Sequence, residues 1–386
     1  MASDNTPDPV ELTRELIAFD TVNPPGQEKR CARFLADILS GAGFETTLRE
    51  FGSDRANLIA KRRGAGDGAP LVFTGHIDVV PLGARAWTHD PFKAEIVDGR
   101  LYGRGSSDMK SGIAAFVCAA LRHASDSADS SNLTLIITSG EETGCVGASS
   151  LVAEGGLGTA GAIVVGEPTA NVVCVGHKGA LWLNAITTGL TAHGSMPERG
   201  DNAISKAARV IGRLGSFAFG VEPHAVLGSP TLSVNTIRGG LNINSVPDRA
   251  EIGVDIRTIP SVDHAGLKQA LEQHVGEKVR MEVMLDLPGV WTSPELEWVK
   301  RLVRIAAAAT GSAAPPGAAT FFSDASVLTP AMGMPTTIIL GPGEPGQAHQ
   351  TDEWCSVKQI HAAVEIYRNI LREWSDAATP TAGAPT

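Results

Sequence analysis

The sequence predicts an α/β protein with a mixed, mainly parallel sheet that carries helices on both faces, interrupted by a small α+β domain. Short runs of Val, Ile and Leu alternate with helical patterns in the first and last parts of the chain, which is typical of buried parallel strands. Between these parts, strands and helices follow the order of a split βαβ unit. A chain of 386 residues is long enough for two domains.

The first part of the chain contains alternating elements. Apolar residues recur at helical spacing from Cys31 to Leu39, and Gly41 ends this predicted helix. Downstream, apolar runs predict three strands at residues 70–76, 133–139 and 161–167, with helices at 111–124 and 147–154. Each strand is built around a run of Val, Ile, Leu or Phe, so both faces of the sheet should be covered by helices.

The middle of the chain has a different pattern. It contains predicted helices at residues 202–215 and 264–275 and predicted strands at 230–237, 249–259 and 279–285. Together with the preceding strand, this order indicates a four-stranded antiparallel sheet with two helices. From Pro294 the first pattern resumes, with a strand at 336–340 and a helix near 356–374. We therefore predict a discontinuous domain of residues 1–178 and 292–386, and an inserted domain of residues 179–291.

Composition excludes some partners. The formal net charge is −10, from 32 Lys and Arg against 42 Asp and Glu, which argues against binding to nucleic acid or to an anionic membrane. No apolar run approaches the ~18 residues of a membrane-spanning helix. The first residues lack a signal-peptide pattern, and the five cysteines form no C-x-x-C pair, which indicates reduced thiols in a cytoplasmic protein.

Polar side chains follow each predicted strand of the main sheet at the point where the strand ends. They are His76 and Asp78, Glu141 and Glu142, Glu167 and, after a Gly/Pro loop, His349, while Asp108 lies at the start of a helix. Sites in open α/β sheets form outside the carboxyl ends of the strands. Two histidines with several carboxylates and no thiolate suit Zn²⁺, Mn²⁺ or Co²⁺.

The adjacent Glu141 and Glu142 repel each other unless a cation lies among them. A metal would supply that charge, so that one glutamate binds metal while its neighbour is the general base for a metal-bound water. Taken singly, each residue has an ordinary alternative: a structural histidine, a solvated Glu-Glu loop, or Asp78 as a helix cap. Their joint position at the ends of separate strands favours a metal site.

Five segments of the chain carry a family resemblance, in the family's own order. They are residues 74–81 (TGHIDVVP), 87–112 (which include GRGSSDMKSG), 138–148 (TSGEETGCVGA), 165–169 (VGEPT) and 341–353 (GPGEPGQAHQTDE). In these segments the chain resembles the M20 family of metallopeptidases and amidohydrolases, which includes acetylornithine deacetylase and succinyl-diaminopimelate desuccinylase. The resemblance covers nearly the whole chain.

The resemblance implies two metal ions per subunit, zinc with cobalt or manganese as alternatives. The implied ligands are Asp108 as the bridge, His76 and Glu167 on one metal, and Glu142 and His349 on the other. Asp78 would orient His76, and Glu141 would be the general base and then the acid that protonates the leaving amine. The resemblance also implies a cis peptide bond between Asp108 and Met109.

The inserted domain resembles the family's lid and dimerisation domain. The resemblance implies that His193, within residues 190–204, reaches the partner's site in a homodimer and stabilises the oxyanion. Residues 239–260 would supply Asn244 and Arg257 to the substrate, and a guanidinium suits a substrate carboxylate. Without the resemblance, Arg257 would be an exposed charge on a sheet.

The resemblance implies hydrolysis of the amide bond of an N-acyl amino acid, as in a deacetylase or desuccinylase. Two alternatives stay open, a carboxypeptidase or dipeptidase of the same family and a non-catalytic metal-binding homologue. A serine hydrolase is excluded because the chain has no G-x-S-x-G motif. Phe321 and Phe322 stand where many family members have a Gly-Thr loop, so acetyl, succinyl, aminoacyl and aromatic acyl groups all remain candidates.

Overall fold

A computed structural model of the chain describes residues 6–64, 68–126, 131–276 and 278–376. The chain divides into two compact units. The larger unit comprises Met1–Gly176, Trp291–Ala319 and Ser323–Thr386, and the smaller unit comprises His177–Val290 and Thr320–Phe322. Across the described ranges, every helix is too short or too polar to cross a membrane.

The helices and strands are numbered along the chain. The helices are α1 (Pro9–Ile17), α2 (Lys29–Gly41), α3 (Lys110–Asp126), α4 (Val146–Glu154), α5 (Ala203–Leu214), α6 (His264–Val275), α7 (Glu297–Thr310), α8 (Ala325–Ala331) and α9 (Val357–Asp376). The strands are β1 (Glu45–Glu50), β2 (Ala56–Arg62), β3 (Leu71–His76), β4 (Ile96–Val97), β5 (Arg100–Tyr102), β6 (Leu133–Thr138), β7 (Ala162–Val165), β8 (Cys174–His177), β9 (Gly179–Thr188), β10 (Thr231–Gly239), β11 (Arg249–Thr258), β12 (Val279–Leu287), β13 (Val290–Trp291), β14 (Gly317–Ala319), β15 (Thr336–Ile339) and β16 (Trp354–Ser356).

The main sheet is mixed and has the order β1-β2-β6-β3-β7-β15-β8-β13, with β14 paired to β8. Its centre is parallel, because β3 pairs in parallel with β6 and β7, and β7 does so with β15. Every residue of β3, β6 and β7 is buried, so both faces of this centre are covered. The predicted mixed α/β fold is confirmed.

A second, separate sheet has the order β10-β11-β9-β12, and all of its pairs are antiparallel. Alternate residues of β11 are buried, and they share a core with α5 and α6. Two short polar side chains begin these helices: the side-chain oxygen of Asn202 accepts the N–H of Ser205, and that of Asp263 accepts the N–H of Gly266. The predicted four-stranded antiparallel sheet with two helices is confirmed.

Some elements lack a signal in the sequence pattern. Strand β1 (ETTLRE) lies at the edge of the main sheet and is largely exposed, so it needs no apolar run. Helix α8 is only seven residues long. In the three-stranded sheet β16-β5-β4, the distant strand β16 pairs with β5. Strand β1 is formed by pairing with its neighbour β2, whereas the β16–β5 pair depends on how distant segments pack.

The parallel centre of the sheet determines where polar side chains gather. Because β6, β3 and β7 run in the same direction, the segments after them emerge at one edge of the sheet. The start of α3 packs closely on the end of β7: a Cβ on Gly112 would lie 2.1 Å from the carbonyl oxygen of Gly166. Only glycine permits this approach, which brings Asp108 next to Glu167.

Candidate metal centre

Seven of the predicted site residues gather at this edge of the main sheet. His76 is the last residue of β3 and Asp78 follows it; Glu141 and Glu142 follow β6; Glu167 follows β7; Asp108 precedes α3; His349 lies in the loop after β15. All seven belong to the larger unit.

Asp108 lies between the two histidines. One of its carboxylate oxygens is 3.2 Å from Nε2 of His76, and the other is 3.5 Å from Nε2 of His349. Nε2 of His349 is also 3.1 Å from a carboxylate oxygen of Glu142, and Nε2 of His76 is 3.6 Å from Glu167. A carboxylate that presents one oxygen to each of two histidines can bridge two cations. The Asp108–Met109 peptide bond is cis.

The possible ligand atoms form two overlapping groups. His76, Asp108 and Glu142 offer atoms within 4.8 Å of one another, and so do His76, Glu141 and Glu167. Glu141 therefore lies as close to His76 as a ligand would, although the resemblance gives it the role of general base.

The buried glutamates of the site are only partly balanced by its two histidines. Burial raises the pKa of Glu141 and of Glu167 well above the usual range, and the neighbouring carboxylates raise both further. Burial also raises the pKa of Glu142. One carboxylate oxygen of Glu142 is buried without a hydrogen-bond partner. An additional positive charge would stabilise the ionised glutamates and would give the unpartnered oxygen of Glu142 a partner.

The histidines respond to the same carboxylates. Burial acts to lower the pKa of His76, but Glu167 and Asp108 outweigh it and raise this pKa well above the usual value. Contacts with Asp108 and Glu142 raise the pKa of His349 to about 10. Without metal, the imidazoles and the glutamates of the site therefore bind protons. Divalent cations would take the place of these protons. The nitrogen and oxygen donors fit Zn²⁺, Co²⁺ or Mn²⁺.

Asp78 contacts both His76 and the glutamate pair. Nδ1 of His76 is 3.0 Å from the backbone carbonyl of Asp78 and 3.5 Å from its carboxylate, so the carbonyl makes the shorter contact. The carboxylate accepts the backbone N–H of Glu141 and of Glu142, each at 3.2 Å, and the side-chain amide of Asn23 at 2.9 Å. Asp78 therefore fixes the turn that carries both glutamates.

The other three predicted site residues lie in the smaller unit. His193 is exposed, and its Nδ1 is 2.7 Å from Oγ of Ser195. The backbone carbonyl of the exposed Asn244 accepts the N–H of Gly194, so these two predicted residues are close together.

Arg257 lies on β11 and already has partners. Its guanidinium is 3.0 Å from the carboxylate of Asp255 and lies 5.6 Å from the ring centre of Phe322. The ring of Phe322 also packs edge-on against Trp182. The bulky side chain that departs from the family pattern thus contacts the predicted substrate-binding arginine.

Three further residues at the centre were missed by the sequence analysis. Asn23 contacts Asp78 from a proline-rich loop, and nothing in its sequence neighbourhood distinguishes it. Arg104 and Glu353 form a fully buried ion pair of 2.7 Å beside Asp108. Both lie inside the motif segments that carry the family resemblance, and this position was the available signal.

The matched family agrees with this geometry. A profile of the peptidase family M20/M25/M40 matches residues 72–373, which is most of the chain. The chain belongs to the M20/M25/M40 peptidase family. The match includes the segments that carry all seven residues of the metal centre.

Relatives within this family cover nearly the whole chain. The chain is 31% identical over 389 residues to succinyl-diaminopimelate desuccinylase 1 of Ruegeria sp. (strain TM1040), covering 96% of this chain and 99% of that one. It is 32% identical over 387 residues to the succinyl-diaminopimelate desuccinylase of Cereibacter sphaeroides, covering 95% and 99%.

Solved structures of M20 proteins share the fold. The M20 family metallo-carboxypeptidase Sso-CP2 from Sulfolobus solfataricus superposes with a TM-score of 0.81 at 18% identity, covering 96% of this chain and all of that one. Family membership and the clustered ligands together make the chain a metal-dependent hydrolase of amide bonds.

Proposed function

We propose that this enzyme hydrolyses the amide bond of an N-acyl amino acid, in the manner of a deacetylase or desuccinylase. The observation that carries the proposal is the position of Asp108, which presents one oxygen to each of His76 and His349. The named relatives are desuccinylases, which supports the substrate class.

Two Zn²⁺ ions per subunit fit these donors, with Co²⁺ or Mn²⁺ as alternatives. Asp108 would bridge them, His76 and Glu167 would hold one, and Glu142 and His349 the other. When bound, such ions lower the pKa of a water toward ~7 and polarise a carbonyl.

Glu141 would carry the proton in this reaction. Its carboxylate takes a proton from the attacking water and delivers it to the nitrogen of the leaving amine. Its position supports this role, because it is buried beside His76 and Glu167, and its backbone N–H is bonded to Asp78. Asp78 thereby sets the position of the proton carrier as well as that of His76.

The smaller unit would bind substrate and a second subunit. His193 would donate a hydrogen bond to the developing oxyanion in the partner's site. Asn244 and Arg257 would bind the substrate, with Arg257 exchanging Asp255 for the substrate carboxylate. A homodimer is supported by exposed apolar side chains around the edge strand β10, among them Ile237 and Leu241.

We place the enzyme in the cytoplasm. All five cysteines are free and buried, which fits a reducing compartment.

The test is a substrate panel with zinc-loaded enzyme and amine release as the readout. N-acetyl and N-succinyl amino acids should be hydrolysed, and unmodified dipeptides should react more slowly. A chelator should abolish the activity, and added Zn²⁺ should restore it. Faster hydrolysis of dipeptides would make the protein a peptidase of the same family, and no hydrolysis by folded, loaded protein would overturn the proposal.

A further inference from the structure

Glu353 is fully buried, and both oxygens of its carboxylate accept hydrogen bonds. One oxygen accepts a hydrogen bond from Nη1 of Arg104 at 2.7 Å and from the backbone N–H of Gly105 at 3.1 Å. The other accepts the backbone N–H of Ser107 at 2.8 Å and that of Asp108 at 3.0 Å. Three of the four donors are backbone groups of the turn that ends in the bridging aspartate. Glu353 therefore fixes the backbone of Asp108 directly.

Arg104 connects this turn to two other segments. Nη1 also donates to the carbonyl of Gln350 at 3.1 Å, and Nη2 donates to the carbonyl of Pro81 at 3.2 Å. Gln350 directly follows His349, and Pro81 lies on the segment that leaves the sheet after His76. A single guanidinium thus joins the three chain segments that carry both histidines and the bridging carboxylate.

The two histidines depend on this pair to different degrees. His76 is buried, it ends a strand of the sheet, and its second ring nitrogen is held by the carbonyl of Asp78. His349 lies in a loop with a side chain that is 52% exposed and a backbone φ of 65°. Within the described part of the chain, the ring of His349 contacts the carboxylates of Asp108 and Glu142.

The position of the His349 ring is therefore set by the backbone of the loop that carries it. Arg104 donates a hydrogen bond to the carbonyl of Gln350, the residue after His349. The backbone carbonyl of Glu353, four residues after His349, accepts the N–H of Gly103. The pairing of Trp354 with Tyr102 continues this attachment. The loop that carries His349 is thus bound to the turn that carries Asp108.

A simple stabilising role does not explain the pair. Two buried charges lose their hydration, and a buried ion pair is often no more stabilising than apolar residues of the same volume. What the pair does provide is a fixed geometry, because the planar guanidinium and the carboxylate bond in few directions.

We propose that Arg104 and Glu353 are positioning residues of the metal centre, and that they chiefly hold the ion bound by Glu142 and His349. This inference rests on the ligand assignment of the proposed function. The ion held by His76 and Glu167 should depend on the pair less, since these two ligands lie at the ends of strands and only the shared Asp108 is bonded directly to the pair.

The test measures zinc affinity and stoichiometry in the full-length protein by competition with a chelator. In Glu353→Gln one acceptor oxygen becomes an amide N–H₂ that faces N–H donors. The zinc site that Glu142→Gln removes should lose roughly 10–100-fold in affinity, the range for residues that support metal ligands. The other site shares Asp108 and should also weaken, but by a smaller factor. Arg104→Lys keeps the charge but loses the planar fork, and should shift the same site in the same direction.

Two reference variants make the result specific. Leu35→Ala opens a cavity in the core of the larger unit and should lower the melting temperature without changing either zinc affinity. Glu142→Gln removes a proposed ligand and identifies which site is lost. Wild-type protein that binds only one zinc would refute the ligand assignment. Two zinc ions bound with unchanged affinities in Glu353→Gln and Arg104→Lys would overturn the positioning role alone. If Glu353→Gln does not fold, Arg104→Lys decides the question.

Discussion

The carboxylate of Asp78 accepts the backbone N–H of Glu142 at 3.2 Å. Its other oxygen accepts the N–H of Glu141 at the same distance, and the backbone carbonyl of Asp78 contacts His76 at 3.0 Å. One buried residue therefore sets the position of a histidine and of two adjacent glutamates. These hydrogen bonds fix the backbone of the two glutamates despite the repulsion between their carboxylates. Both side chains therefore stay in a position to bind a cation.

The first prediction concerns Asp78→Asn. The side-chain amide must point its N–H₂ at one of the oxygen positions, where backbone N–H groups now donate, so the turn with Glu141 and Glu142 should shift. Turnover should fall by roughly 10–100-fold, as for other residues that support metal ligands. Steady-state kinetics of zinc-loaded protein would measure the loss.

Asn23→Ala provides the matched comparison for Asp78. It removes one donor to the Asp78 carboxylate but leaves the charge, so its effect should be several-fold smaller. If Asn23 acts through Asp78, the double variant should be no worse than Asp78→Asn alone. Losses that multiply in the double variant would show that Asn23 acts by another route.

The second prediction separates Glu141 from Glu142. Glu141→Gln should bind two zinc ions nearly as well as wild type yet lose roughly 10²–10⁴-fold in turnover, since it removes the general base. Glu142→Gln should weaken one zinc site. Elemental analysis together with turnover numbers distinguishes them. A loss of zinc in Glu141→Gln with full binding in Glu142→Gln would reverse the two roles.

Much of this site could be predicted because several of its ligands lie at the ends of strands that are recognisable in the sequence. Strands β3 (LVFTGH) and β6 (LTLIIT) are buried along their whole length, and the first ionisable residues that the chain reaches on or after them are His76 and Glu141. Pairing between β3 and β6 in parallel then brings these residues to one edge. The fold and the candidate ligands are thus local properties of the sequence combined with one rule of sheet geometry.

The supporting contacts could not be predicted in this way. Asn23 and Asp78 are 55 positions apart, and Arg104 and Glu353 are 249 apart, so their pairing depends on the final packing of loops. Arg257 could be chosen as a carboxylate-binding residue from its motif, but its contact with Phe322 depends on a distant segment that joins the smaller unit.

The third prediction concerns the stability of metal-free protein. The pKa of Glu141 and Glu167 is raised in the folded state, so the folded chain holds protons that the unfolded chain releases above pH ~4.5. His349, with a pKa of about 10, acts in the same direction between pH ~6.5 and 10. Stability should therefore decrease steadily from pH 5 to pH 9.

Zinc should oppose this trend. The ligands must release their protons to bind metal, so zinc affinity rises with pH. Thermal unfolding with and without zinc should show melting temperatures that diverge as the pH rises. Metal-free protein whose melting temperature is constant or increases from pH 5 to pH 9 would contradict the unbalanced charge of the centre.

The last prediction tests whether the site is shared between subunits. His193 is exposed in the smaller unit, and Nδ1 of its ring contacts Ser195, which leaves Nε2 to donate to a substrate. Loss of one oxyanion donor costs roughly 10²–10³-fold in turnover, so His193→Ala alone should be nearly inactive. Glu141→Gln alone should be nearly inactive as well.

Mixing these two inactive variants should restore activity if subunits exchange within a dimer. In a mixed dimer, the chain that keeps Glu141 receives an intact His193 from its partner, so one of the two sites is complete. Random pairing makes about half of the dimers mixed, and about a quarter of the wild-type activity should return. If His193 served its own chain, every site in the mixture would lack one residue. Exchange must therefore be shown independently, by native mass spectrometry of the mixed dimers. Activity that stays at the level of the separate variants after proven exchange would refute the shared site.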